Sequence, residues 1–87
     1  MIRVLSHFRI AKGPDDIYFL ADAFEERSFQ LSQLFFNLFL FMKESERSLD
    51  EIMTQGEFLR IPKSRINEFL RFLSDASFIQ SDTPLQF

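Results

Sequence analysis

Arg27-Ser28-Phe29-Gln30-Leu31-Ser32-Gln33-Leu34-Phe35-Phe36-Asn37-Leu38 changes its hydrophobic period halfway along. Up to Leu31 the apolar residues alternate, with Phe29 and Leu31 inward and Ser28 and Gln30 outward, which is the period of a half-buried strand. From Ser32, a residue type suited to a helix N-cap, Leu34, Phe35, Leu38, Phe41 and Met42 recur at helical spacing. A strand therefore runs straight into a helix. Phe36, Phe39 and Leu40 lie off that stripe, so the helix is apolar almost all round and needs cover from the sheet, a second copy or a partner.

Upstream, the first ten residues also alternate, Ile2, Val4, Phe8 and Ile10 against Arg3, Leu5, His7 and Arg9, and predict one long strand. The turn formers from Ala11 to Asp16 then deliver the chain into Ile17-Tyr18-Phe19-Leu20-Ala21, a second strand paired with the first as a hairpin. With Arg27 to Leu31 as a third strand beyond the polar stretch Asp22 to Glu26, the N-terminal part is a three-stranded antiparallel sheet. Downstream, Ser48-Leu49-Asp50-Glu51 reads as a capping box that opens a second helix, stopping near Gly56. Pro62 suits the first turn of a third helix whose stripe is Ile66, Phe69, Leu70 and Leu73, with Phe72 beside it on the line Arg65, Phe69, Phe72, Ala76. The residues from Ser77 onward hold Pro84 and several polar side chains and read as a frayed end. The expectation is an α+β domain over residues 1–79, three strands then three helices in the outline of a small winged helix-turn-helix, with 80–87 as a flexible tail.

Eighty-seven residues with 46% hydrophobic and 26% charged content suit one small globular domain, and thirteen Phe supply much of its apolar area. The absence of Cys excludes disulfides, zinc-thiolate sites and thiol nucleophiles. No signal-peptide pattern is present, and the longest apolar run, Leu34 to Met42, is nine residues against the roughly 20 needed to span a bilayer. A cytoplasmic protein without a membrane segment is expected.

Catalysis is hard to place on these side chains. His7 is the only His, and its outward phase on a strand makes it a surface imidazole with no nucleophile beside it. Asp15-Asp16 and Glu25-Glu26 fall in turns, where solvated charge is the ordinary explanation, so neither a metal nor another cofactor is expected. Between Arg60 and Arg71, however, Arg60, Lys63, Arg65 and Arg71 face one Glu68, a local +3 in a chain of net charge −3. A basic third helix makes a winged-helix DNA-binding regulator the alternative reading. Phe69 and Phe72 stand where base-reading Asn, Gln or Arg would be needed, and the acidic remainder repels phosphate, so nucleic acid is the less favoured partner.

Four phrases taken in order resemble a known family. Ile17-Tyr18-Phe19-Leu20, the junction Phe29-Gln30-Leu31-Ser32, Arg47-Ser48-Leu49-Asp50-Glu51-Ile52, and Ile66-x-x-Phe69-Leu70-x-x-Leu73 closing on Phe78-Ile79 are similar to the PqqD-like domains. These are typified by the pyrroloquinoline quinone biosynthesis protein D and are also called RiPP recognition elements. The resemblance covers nearly the whole chain, with two departures: Leu34-Phe35-Phe36 is bulky where small residues are common, and Ser77 replaces a common Gly. The resemblance implies a non-catalytic adaptor that binds the leader of a ribosomally synthesised precursor peptide and presents it to a modifying enzyme. The leader would add as a strand along Arg27, Ser28, Phe29, Gln30 and Leu31, against a groove wall of Arg65, Phe69 and Phe72. The apolar first helix leaves a homodimer or an enzyme-docking face as further expectations.

Overall fold

The computed structural model describes residues 1–22 and 27–82. Its elements are β1 (Ile2–Val4), β2 (Phe8–Lys12), β3 (Tyr18–Asp22), β4 (Ser28–Leu31), α1 (Gln33–Glu44), α2 (Leu49–Phe58), α3 (Lys63–Asp75) and β5 (Ile79–Ser81). A three-stranded antiparallel sheet, β2-β3-β4, is followed by three helices, the expected α+β order. A second, two-stranded sheet joins β1 to β5.

That second sheet corrects two expectations. The first ten residues form two strands, not one: Ile2 and Val4 pair with Ser81 and Ile79, whereas Phe8 and Ile10 pair with Asp22 and Leu20. The break at Leu5-Ser6-His7 is invisible to alternation because Val4 and Phe8 are an even number of residues apart and stay in phase. His7 sits in that break, half-buried and stacked 6.0 Å from the Phe78 ring, and is not the exposed strand residue its phase suggests. The C-terminal end is likewise structured past Ser77: Phe78 is fully buried, Ile79 nearly so, and pairing continues two residues beyond the expected boundary at 79. Residues 83–87 of the expected tail, and the Glu25-Glu26 turn, lie outside the described residues.

Helix boundaries follow from local chemistry. Ser48 and Glu51 form the full capping box, Ser48 Oγ accepting from the Glu51 amide at 3.1 Å and Glu51 Oε1 accepting from the Ser48 amide at 3.0 Å. The Ser48 amide first, then the Ser48 hydroxyl and the nearby Arg47 charge, hold the Glu51 carboxyl below its ordinary range. Gly56 does not end α2, which runs to Phe58; a Cβ there would come within 2.3 Å of Ile66 Cδ1, so the glycine lets α3 approach. Arg60 takes the left-handed conformation that closes the helix, with φ 63°, and the Ile61 amide donates back to the Gly56 carbonyl at 2.9 Å. Ser32 caps α1 by position but makes no side-chain cap bond.

The core lies between the β2-β3-β4 sheet and the helices. Leu20, Leu38, Phe39, Ile52, Ile66, Leu70, Leu73 and Phe78 are all at 0% exposure. Of the three sources of cover open to the off-stripe rings of α1, the sheet supplies it. Phe36 stacks on Tyr18 at 3.8 Å and Phe39 meets Phe8 edge-on at 5.2 Å, which leaves Leu40 of that face exposed, together with Leu34, expected on the core stripe. No described helix is long and apolar enough to cross a membrane.

Ser77 takes the left-handed backbone conformation that favours glycine. It holds φ 62° so that the Phe78 amide can bond the Leu73 carbonyl at 2.9 Å and turn the Phe78 ring into the core. The left-handed conformation is strained for any residue with a Cβ. Ser77→Gly should therefore stabilise the domain by about 0.5–1 kcal/mol in chemical denaturation, the relief of strain exceeding the extra chain entropy of glycine.

Candidate groove between strand β4 and helix α3

Among the described residues β4 is an edge strand, bonded only to β3. The Asp22 amide donates to the Arg27 carbonyl at 2.7 Å, which fixes the phase of the ladder, and the register pairs Leu20 with Phe29 and Tyr18 with Leu31. In an antiparallel ladder bonded and non-bonded pairs alternate, so the amides and carbonyls of Phe29 and Leu31 point to β3. Those of Ser28 and Gln30 therefore both point to the open edge. The side chains follow the other alternation: Ser28 and Gln30 are exposed, while Phe29 and Leu31 face the helices.

Beside this edge two hollows of about 340 and 420 Å³ run between β4 and α3, sharing Phe29, Glu68 and Phe72. The first is completed by Gln30, Leu31, Phe35, Arg65 and Phe69; the second by Arg27, Arg71, Asp75 and Ala76. Every residue expected to form the site except Ser28 thus lines one hollow or both, and Ser28 contributes its outward backbone groups. Five residues join that were not assigned to it: Phe35, Glu68, Arg71, Asp75 and Ala76. Phe35 falls on the apolar stripe of α1 and reads as core from spacing alone. Glu68, Arg71 and Asp75 share a face of α3 with Arg65 through the three- and four-residue helical spacing.

The groove floor is aromatic. Phe29 meets Phe72 edge-on at 4.8 Å, Phe69 lies 6.4 Å from Phe72, and Phe35 leans on Phe69 at 4.9 Å. Phe69 is buried, whereas Phe72 is only partly covered. The rim is charged with both signs. Arg65 pairs with Glu68 at 3.4 Å, and Arg27 pairs at 3.4 Å with buried Asp22 while its guanidinium stands 5.7 Å from the Phe29 ring centre. Lys63, part of the local positive excess, turns to Glu57 of α2 at 3.5 Å. The exposed face of α3 consequently alternates Arg65, Glu68, Arg71 and Asp75, so the basic excess is broken up.

No family model and no curated protein matches this chain. Its fold is shared with a solved structure of TbiB1 in complex with the TbiA(beta) leader peptide, at a TM-score of 0.67 and 14% identity, over 94% of this chain and 99% of that one.

The two groove phenylalanines should respond differently to truncation. Phe69→Ala empties a core position and should cost about 3–5 kcal/mol of folding stability. Phe72→Ala, at a half-open ring, should cost about 1–2 kcal/mol. Urea denaturation of both variants checks this, and equal losses would move Phe72 into the core.

Proposed function

We propose that this groove binds the leader segment of a ribosomally synthesised precursor peptide by strand addition, the chain acting as a non-catalytic adaptor that presents the leader to a modifying enzyme. The observation that carries the reading is the coincidence of an unpaired strand edge with an aromatic trench on the same side of the fold. An extended peptide laid on β4 would exchange backbone hydrogen bonds with Ser28 and Gln30, while alternate side chains drop between β4 and α3. Backbone pairing gives affinity without sequence, and the trench gives register. TbiB1, which has the same fold and was solved with a leader peptide, supports a leader peptide as the ligand.

Each residue then has a role. Ser28 and Gln30 pair with the added strand; Phe29, Leu31, Phe69 and Phe72 supply apolar surface; Arg27 and Arg65 stand at the rim, where acidic side chains of a leader would meet them. The adaptor requires a partner enzyme, because affinity for a peptide does no chemistry on it. Self-association has lost its main support, since Phe36 and Phe39 are covered from within the chain.

Proline substitution separates edge from ladder. Ser28→Pro and Gln30→Pro each remove an outward donor and leave the β3–β4 bonds intact, whereas Phe29→Pro removes a ladder bond. The first two should remain folded by circular dichroism and bind a fluorescently labelled precursor leader several-fold more weakly, in line with a lost hydrogen bond of about 0.5–1.5 kcal/mol. Phe29→Pro should unfold the sheet. Undiminished leader binding by both folded variants would remove strand addition on β4.

A further inference from the structure

We propose that Phe35, a helix residue outside the β4–α3 pair itself, selects the side chain that an added strand carries opposite Leu31. The inference rests on the peptide-binding reading of the groove.

The geometry separates two positions on the peptide. Side chains of an added strand that face α3 are those opposite Phe29 and Leu31, because directly opposed residues share a face of the sheet. The residue opposite Leu31 enters the hollow walled by Leu31, Phe35, Arg65 and Phe69. The residue opposite Phe29 meets Phe72, Arg71 and Ala76 in the other hollow. These two side chains are roughly 7 Å apart along the strand. Phe35 lines only the first hollow.

Its position there is fixed. Ser32 ends the strand and caps α1, so Phe35 stands in the first turn of the helix, just beyond the end of β4. Its ring leans on Phe69 at 4.9 Å, and Phe69 is itself buried, which gives the wall a rigid backing. A shorter side chain at position 35 would lengthen the hollow at that end without touching the Phe29–Phe72 contact.

The test is selection from a displayed library of random linear peptides by the wild-type protein and by Phe35→Ala and Phe35→Leu, each first shown to be folded by circular dichroism. Wild type should enrich peptides with large apolar residues at two positions, i and i+2. Phe35→Ala should favour Trp and Tyr over Leu and Val by roughly tenfold more than wild type at one of those positions only, with Phe35→Leu intermediate. The other position should be unchanged. Should Phe35→Ala be unfolded, the Phe35→Leu shift decides alone. Enrichment by wild type with identical preferences in the variants, or a change at both positions together, would overturn the role of Phe35 while leaving the groove as the peptide site. Failure of wild type to enrich any family of peptides would overturn the peptide-binding reading and the role of Phe35 with it.

Discussion

The Phe29 ring stands between two others, 5.7 Å from Phe78 on the core side and 4.8 Å from Phe72 on the groove side, edge-on to both. Edge-to-face pairs hold ring orientation as well as distance, so β4 cannot shift along its axis without breaking both contacts. Phe78 in turn meets Phe8 of β2 at 6.1 Å, and its backbone carbonyl accepts from the Leu5 amide at 2.9 Å. Phe78 thus ties together β2, β4 and the break between β1 and β2. The position of the open edge relative to α3, and so the width of the trench, is set by this aromatic chain from core to surface.

The exposed side of that chain is where folding and binding make different demands. A fully covered Phe72 would add stability and close the groove; a fully solvated one would forfeit apolar area. The half-covered ring, flanked by charges, leaves apolar surface of the groove open to solvent. The charges contribute little to the fold, since the Arg65–Glu68 pair is exposed and such pairs are worth at most about 1 kcal/mol. Their disposition discourages a phosphate backbone, because Glu68 and Asp75 interrupt the arginines of α3.

Much of this was legible in the sequence because long periodic runs carry their own evidence. The change of period at Ser32, the capping box at Ser48 and the stripe Ile66, Phe69, Leu70, Leu73 each specify an element without help from the rest of the chain. The groove residues were legible through resemblance together with the line Arg65, Phe69, Phe72. What escaped was set by tertiary context. A three-residue strand such as Ile79–Ser81 carries too little pattern to stand out, and its partner Ile2–Val4 was hidden by remaining in phase with β2. Gly56 looks like a helix stop, yet its lack of a side chain serves the close approach of Ile66. Phe35 counts as core by spacing, and only the place where β4 meets α1 shows that one side of its ring faces the trench.

The central claim is that a peptide pairs with the open edge of β4, and amide hydrogen exchange resolved by residue reads that edge directly. In the free protein the Ser28 and Gln30 amides should exchange fast while those of Phe29 and Leu31, bonded to β3, are protected. Saturation with a peptide enriched from the displayed library should protect Ser28 and Gln30 strongly and leave the other two nearly unchanged. Binding that leaves Ser28 and Gln30 exchanging as before, with protection appearing elsewhere in the fold, would contradict the account.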